Sequence, residues 1–272
     1  MMRLALLCWL WLPALVLAAA PQRIVSLAPH ITEMLFTLGV GERIVGAVEY
    51  SNYPPAARAI PRVGGVERID YERILALEPD LVLVWSHGGS EERMRRLRAL
   101  GLEVEESDPR RLADIPKELE RLGRLIGRPE AGRAAAAAFR ERWRRLEARY
   151  RDRRPLRVFY EIWHRPLITI GGRHFISDVI RLCGGLNVFG DLEPLAPTVD
   201  PEAVLAADPE VIIASGLGAR RPEWLEAWRR WPGLSAVREG HLYAIDADIM
   251  QRPTSRLLDG AQALCELLDR AR

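Results

Sequence analysis

Residues 71–85 read YERILALEPDLVLVW, and residues 201–215, 130 positions further along the chain, read PEAVLAADPEVIIAS. In each segment a short amphipathic helix is followed by a proline turn and an apolar run rich in β-branched residues, typical of a buried parallel strand. Aligned at this spacing, the following pairs agree: Glu72/Glu202, Leu75/Leu205, Ala76/Ala206, Pro79/Pro209 and Val82/Ile212. The repeat indicates a chain built from two similar halves.

A second repeated segment precedes the first one in each half. Residues 31–39, ITEMLFTLG, resemble residues 176–184, ISDVIRLCG. The equivalent pairs are Ile31/Ile176, Thr32/Ser177, Glu33/Asp178 and Gly39/Gly184. One helix–proline–strand match could recur by chance in an α/β protein, but two matches in the same order favour a duplication. We expect an α/β fold of two lobes with mainly parallel sheets flanked by helices, and a ligand cleft between the lobes.

The N-terminal residues have the three parts of an export signal. MMR supplies a positive start, LALLCWLWLPALVLA an apolar stretch, and AAA a small-residue cleavage region. The apolar stretch is short for a membrane span. Pro21 disfavours cleavage directly before it, so we expect the cut after Ala18 or Ala19 and an exported mature chain.

The middle of the chain predicts one long helix between the lobes. Residues 130–150, EAGRAAAAAFRERWRRLEARY, contain no proline and are rich in Ala, Arg and Glu, all strong helix formers. Such a helix is much stiffer than a Gly/Ser linker, so it would limit lobe closure to a small motion. The predicted organisation is a signal peptide over 1–19, an N-terminal lobe over 20–128, a linking helix over 129–153 and a C-terminal lobe over 154–272.

Charge and cysteine content narrow the class of protein. The 272-residue chain has a net charge of +2, which argues against a nucleic-acid surface because such surfaces need clustered positive charge. Outside the leader two cysteines remain, Cys183 and Cys265. An even count in an exported protein favours a disulfide, with two buried free thiols as the alternative.

Residues that follow the predicted strands form a list of possible ligand contacts, because open α/β sheets bind ligands at the carboxyl ends of their strands. The list comprises His30, Tyr50, Trp85, His87, Trp163, His164 and the segment 247–252. Aromatic rings with a few polar groups suit a large, partly apolar ligand. A nucleophile with a plausible base is missing from the sequence motifs, which weakens the alternative of a secreted hydrolase.

Three of these residues are histidines, a common ligand type for transition metals. His30, His87 and His164 are separated by 57 and 77 residues, a spacing that matches no compact metal motif. We therefore expect single polar residues in the cleft, with no metal site and no cofactor.

Four stretches resemble the periplasmic cobalamin-binding proteins of bacterial ABC importers. They are YSNYPPAA (50–57), PRVGG (61–65), ERILALEPDLVLVW (72–85) and ISDVIRLCGGLNVFGD (176–191). The likeness extends from about residue 22 to 270, and the wider helical-linker class also carries iron-siderophores and haem. The resemblance implies a monomeric periplasmic carrier, not an enzyme, that binds cobalamin as its transported ligand. An iron-siderophore or haem carrier is the alternative within the class.

The resemblance also implies roles for individual residues. Tyr50 and Trp85 match ring contacts to cobalamin, while Asp248 and Arg252 match polar contacts to it. The Cys183 and Cys265 pair matches the disulfide of that family.

Two departures from the family pattern concern the cleft. Better-known members carry aromatic residues near Ala196 and Ile249, where this chain has small or aliphatic side chains. Trp163 is our candidate to restore the lost ring surface from the facing lobe.

One glutamate on each lobe matches the family's contact with the permease dimer. The resemblance implies that Glu72 and Glu202 dock onto arginines of the ABC importer, and two equivalent carboxylates suit a two-fold partner. The alternative is that both carboxylates only interact with a helix dipole, since Asp70 and Asp200 stand at capping distance before them.

Overall fold

The computed structural model describes residues 19–65, 68–86, 90–216 and 222–272. The predicted leader, apart from Ala19, and His87 lie outside the described residues. Within these ranges, the protein has no helix that is both long and apolar enough to cross a membrane.

The first half of the chain forms a four-stranded parallel sheet in the order β2-β1-β3-β4. Its strands are β1 (Ile24–Ser26), β2 (Ile44–Ala47), β3 (Leu81–Val84) and β4 (Val104–Glu106). Its helices are α1 (Pro29–Thr37), α2 (Tyr71–Ala76), α3 (Ser90–Ala99) and α4 (Asp114–Leu125), with 3-10 turns at Gly41–Arg43 and Pro55–Ala59. All four residues of β3 are buried, as expected for an apolar strand covered by helices on both faces.

A long helix, α5 (Pro129–Tyr150), follows, as the sequence predicts. Proline suits its first position because that residue needs no backbone donor. Helix α5 packs closely on α4 through two glycines: a Cβ atom on Gly123 would lie 2.8 Å from the Cα of Gly132. The absence of these two side chains therefore permits the close approach of the helices.

The second half forms a second parallel sheet in the order β8-β5-β9-β10. Its strands are β5 (Leu156–Glu161), β8 (Gly185–Asn187), β9 (Val211–Gly216) and β10 (Leu242–Asp246), and a separate antiparallel hairpin joins β6 (Trp163–His164) and β7 (Leu167–Ile168). Its helices are α6 (Phe175–Leu182), α7 (Pro201–Ala207), α8 (Glu223–Glu226), α9 (Ser235–Arg238), α10 (Ala247–Met250) and α11 (Leu257–Arg270), with a 3-10 turn at Ala227–Arg230.

The two sheets have the same topology, which confirms the predicted fold class. When the strands of each sheet are counted in chain order, the first lies between the second and the third, and the fourth lies beside the third. We call each sheet with its flanking helices a lobe; the bounds 20–128, 129–153 and 154–272 stay predictions.

The repeated helix–strand segments also agree in backbone detail. Glu78 after α2 and Asp208 after α7 both adopt left-handed φ values, 43° and 41°. The side chain of Arg23 donates to the carbonyl oxygens of Leu77 and Glu78 at the end of α2, and Arg157 donates to the Asp208 carbonyl oxygen at the end of α7. The duplication therefore reaches the level of single hydrogen bonds.

A disulfide joins Cys183 at the end of α6 to Cys265 in α11, which confirms the predicted pairing. The bridge spans 82 residues, for which loop-entropy models give about 4 kcal/mol of stabilisation. It fixes the C-terminal helix to its own lobe.

One predicted element differs from the structure. The apolar run RVFYEIW (157–163) predicts a single strand, but in the structure β5 ends at Glu161 and Trp163 belongs to the β6–β7 hairpin. Pairing of Trp163 with Ile168 across the hairpin explains the break, because it turns the chain away from the main sheet.

Candidate ligand-binding site

Tyr50 lies in the loop after β2, with its side chain largely in solvent. Its φ of 63° is in the left-handed region, which non-glycine residues seldom adopt. The residue is 66% exposed. A large ring held in solvent by an uncommon backbone conformation marks a position shaped by something other than packing.

Arg252, which follows α10 of the second lobe, binds the Tyr50 loop across the space between the lobes. Its Nη1 donates to Glu33 Oε1 at 2.7 Å and to Asn52 Oδ1 at 2.8 Å. Its Nη2 donates to the Tyr50 carbonyl oxygen at 3.0 Å and to Asp248 Oδ1 at 2.5 Å. Arg252 is only 7% exposed, so its guanidinium group is enclosed by protein acceptors.

Glu33, on α1, is the acidic centre of this network. Its Oε2 accepts from Thr254 Oγ1 at 3.1 Å, and its Oε1 accepts from Arg256 Nη1 at 3.1 Å as well as from Arg252. Burial raises the pKa of Glu33 above its ordinary value, while the nearby arginines oppose that shift. Asn52 accepts from Arg252 and donates through its Nδ2 to Asp248 Oδ2 at 2.9 Å, so both lobes contribute donors and acceptors.

Trp85 follows β3 and packs against α1. Its ring meets the His30 ring edge-on, with centroids 5.2 Å apart, and its Nε1 donates to Asp108 Oδ1 at 3.1 Å. Burial lowers the pKa of His30 to about 3, and the nearby positive charge of Arg252 contributes in the same direction. His30 is therefore a neutral ring that packs against Trp85.

Trp163 lies in a different aromatic group, on the second lobe. Its ring centroid is 5.5 Å from that of His164 and 6.0 Å from that of Trp224. The His164 and Trp224 rings stack at 4.6 Å. Trp163 is 46% exposed, so this group presents an aromatic surface to solvent.

A buried carboxylate lies beneath that aromatic group. Glu161, the last residue of β5, is 1% exposed and accepts from Trp228 Nε1 at 2.8 Å. Burial raises its pKa to about 7, against the lowering effect of the Trp228 bond. Glu161 lines a cavity of about 370 Å³ together with His164 and Trp224.

The two glutamates predicted to dock on a transporter occupy equivalent places. Glu72 is the second residue of α2 and Glu202 the second residue of α7, and both are exposed. Asp70 caps α2 by accepting from the Arg73 backbone N–H at 2.9 Å, whereas Asp200 makes no side-chain capping bond. The two helices are therefore capped differently, although Glu72 and Glu202 occupy equivalent positions in them.

Tyr50 and Glu72 line one cavity of about 1120 Å³ on the first lobe. Arg68, Tyr71 and Arg96 line it as well. Tyr50, one of the two ligand contacts predicted for this lobe, and Glu72, its predicted docking residue, thus share one concave face.

The structure brings three of the five predicted ligand residues together. Arg252 binds the Tyr50 carbonyl oxygen and Asp248, whereas Trp85 packs against His30 and Trp163 lies in the second aromatic group. In the part of the chain that the structure describes, no cluster of three or more His, Cys, Asp or Glu side chains could hold a metal ion.

Several residues of the network are absent from the sequence-based list: Glu33, Asn52, Thr254 and Arg256. Glu33 carried a signal, because it is one of the matched positions in the repeated segment 31–39. Asn52 stands two residues after Tyr50, in the same turn-rich stretch. Neither signal indicated a partner on the other lobe.

Two parallel-sheet lobes joined by a long helix, with aromatic rings and an ion-pair network where the lobes meet, define a protein that captures a solute between lobes. Residues 24–249 match the family described as Periplasmic binding protein, and the chain belongs to that family.

Among its relatives is the vitamin B12-binding protein of Vibrio cholerae, to which the chain is 38% identical over 248 residues, covering 91% of this chain and 89% of the relative. The crystal structure of the periplasmic vitamin B12 binding protein BtuF of Vibrio cholerae superposes with a TM-score of 0.83 at 38% identity, covering 93% of this chain and 98% of that one. A periplasmic heme binding protein from Pseudomonas aeruginosa gives a TM-score of 0.77 at 27% identity, covering 90% and 91%.

Proposed function

We propose that this protein captures vitamin B12, or a closely related corrinoid, between its lobes and delivers it to an ABC importer. The observation that carries this proposal is the 38% identity to the Vibrio cholerae vitamin B12-binding protein, which extends over both lobes. Binding and release are the whole mechanism, with no covalent step. The predicted leader supports export to the periplasm, where a monomer would meet its ligand and the importer.

The exposed rings supply the apolar part of the proposed site. Tyr50 and Trp163 are 66% and 46% exposed, and large aromatic rings left in solvent favour a partner that covers them. A corrin ring is a broad, partly apolar surface with polar side groups. Burial of the Tyr50 and Trp163 rings against it would stabilise the complex. Asp248, whose side chain is 34% exposed, remains accessible to form hydrogen bonds with the polar side groups of the ligand.

Haem is the competing ligand, because the chain is 27% identical to a periplasmic heme binding protein. Both ligands are flat macrocycles, so exposed aromatic rings alone do not separate them. The higher identity to the vitamin B12-binding protein favours the corrinoid. Affinity for each ligand, measured on the same protein, distinguishes the two.

The proposed site is tested with Tyr50→Ala and Trp85→Ala, singly and together. We expect the double variant to weaken cyanocobalamin binding at least tenfold in isothermal titration, while Tyr50→Phe, which keeps the ring, stays near wild type. Leu186→Ala serves as the matched control, since Leu186 is 56% exposed in β8 and has no proposed contact. An unchanged affinity in the double variant would reject the named site.

Docking is a separate proposal, carried by the equivalent exposed positions of Glu72 and Glu202. Glu72→Ala with Glu202→Ala should abolish vitamin B12 uptake in cells that depend on this protein, while binding by the purified protein stays normal. Glu130→Ala is the matched control, because Glu130 is likewise the second residue of a helix, α5, and is exposed. Lost binding in the double variant would show that the two residues belong to the ligand site instead.

A further inference from the structure

Each lobe places one carboxylate at the same position of its first helix. Glu33 in α1 and Asp178 in α6 are matched positions of the repeated segments. Both helices are followed by a glycine in the left-handed region, Gly39 with φ 74° and Gly184 with φ 71°. The two carboxylates are therefore equivalent in structure as well as in sequence.

Asp178 reaches across to the first lobe, as Glu33 reaches across to the second. Arg111 Nε donates to Asp178 Oδ2 at 2.8 Å, and Arg111 Nη2 donates to Oδ1. The Leu112 backbone N–H donates to Oδ2 at 3.0 Å. The Asp178 side chain is 11% exposed, and two-point binding by a guanidinium group fixes its orientation.

The arginines occupy equivalent places too. Arg111 follows β4 and Arg252 follows β10, and each of these strands is the fourth and outermost of its sheet. In both directions, then, the carboxylate of one lobe's first helix binds the arginine that follows the last strand of the other lobe.

We propose that Glu33–Arg252 and Asp178–Arg111, the inter-lobe ion pairs, hold the two lobes in their relative position, and that Glu33 and Arg252 are positioning residues for Tyr50. The second part rests on the proposed function. Arg252 donates directly to the Tyr50 carbonyl oxygen at 3.0 Å. Moving Arg252 therefore moves the backbone that carries the ring.

The two inter-lobe ion pairs have different surroundings. Asp178 and Arg111 line a cavity of about 540 Å³ with Trp143 and Glu147 of the connecting helix α5. Glu33 and Arg252 instead hold the Tyr50 loop. The Asp178 pair thus serves as a matched control: it joins the lobes by the same kind of bond without touching Tyr50.

Variants of Glu33 distinguish a positioning role from direct contact with a ligand, because Glu33 is buried. Arg252 already donates to four protein acceptors, and Glu33 is 3% exposed. A ligand in the cleft cannot reach a carboxylate buried to that degree. An effect of Glu33 on affinity would therefore pass through Arg252 and the Tyr50 loop.

The first test needs no ligand. Hydrogen exchange of the amides at 51–52 is measured in the full mature chain carrying Glu33→Gln or Asp178→Asn. We expect at least tenfold faster exchange in Glu33→Gln and little change in Asp178→Asn. Equal exchange in wild type and Glu33→Gln would overturn the positioning role. Should Glu33→Gln fail to fold, Arg252→Lys carries the same expectation, because an ammonium group cannot bind all four acceptors.

The second test is a double-mutant cycle on cyanocobalamin affinity. Glu33→Gln should weaken binding about tenfold, a loss within the range for one charged hydrogen bond. In the Tyr50→Ala background the same change should cost less than twofold, because the ring that it positions is gone. Equal losses in both backgrounds would contradict positioning of Tyr50. If the wild-type chain does not bind cyanocobalamin, the proposed function fails, while the exchange test still decides whether Glu33 and Arg252 hold the Tyr50 loop.

Discussion

Trp228 Nε1 donates a hydrogen bond of 2.8 Å to Glu161 Oε2, and this carboxylate is 1% exposed at the end of the central strand β5. One neutral donor compensates little of the cost of burying a charge. Burial accordingly raises the pKa of Glu161 from 4.5 to about 7. The folded protein therefore binds a proton here between about pH 4.5 and 7, where the unfolded chain does not.

The pH dependence of stability follows from that difference. Because the folded state binds the extra proton, the contribution of Glu161 to the free energy of unfolding falls as pH rises from about 4.5 to 7 and stays low above 7. A shift of this size corresponds to about 3 kcal/mol.

Glu161→Gln keeps an acceptor for Trp228 and removes the ionisation. We expect this variant to match wild type in urea unfolding near pH 4.5 and to exceed it at pH 8. The contribution of His30, whose pKa is lowered to about 3, is the same in both proteins and cancels. Parallel stability curves for the two proteins would contradict the account of Glu161.

The close contact between α4 and α5 should reverse the effect on stability that helix propensity alone predicts for a glycine-to-alanine change. A Cβ atom at Gly132 would lie 2.7 Å from the Leu119 carbonyl oxygen and 3.2 Å from the Glu120 Cα. Alanine normally stabilises a helix by about 1 kcal/mol over glycine, but this clash should make Gly132→Ala destabilising by about 1–2 kcal/mol.

Ala134→Gly is the control for propensity alone, because Ala134 is exposed on the same helix. It should lower the free energy of unfolding by about 1 kcal/mol. Thermal or urea unfolding measures both variants. A stabilising Gly132→Ala would show that the helices do not approach as closely as described.

The caps of α2 and α7 give a matched pair of variants. Asp70 accepts from the Arg73 backbone N–H, and Asp200 at the equivalent position makes no capping bond. Asp70→Ala should lower the free energy of unfolding by about 1 kcal/mol, and Asp200→Ala by clearly less. Equal losses in urea unfolding would mean that both aspartates act only through the helix dipole.

The repeated segments 71–85 and 201–215 were enough to predict two similar lobes, because helix periodicity and buried strands are local properties of a sequence. The long helix over 130–150 could be predicted for the same reason, and the Cys183–Cys265 bridge could be predicted because two cysteines remain outside the leader. Composition and cysteine count limit the possibilities before any long-range contact is considered.

The contacts between the lobes could not be predicted in this way. Glu33 and Arg252 are 219 residues apart, and their pairing depends on how two separately folded sheets meet. Arg252 was expected as a ligand contact from the family resemblance, a role that stays a prediction, and its enclosure by protein acceptors appears only in the structure. The turn that places Trp163 in a hairpin depends likewise on pairing with Ile168, which an apolar run does not reveal.

The most direct test of the account is the affinity of the mature chain, residues 20–272, for cyanocobalamin and for haemin, measured side by side by calorimetry and absorbance. We expect one cyanocobalamin per chain with a dissociation constant in the micromolar range or below, and haemin binding at least tenfold weaker. Absence of heat and of spectral change with micromolar cyanocobalamin, or tighter binding of haemin, would contradict the assignment of this protein as a corrinoid carrier.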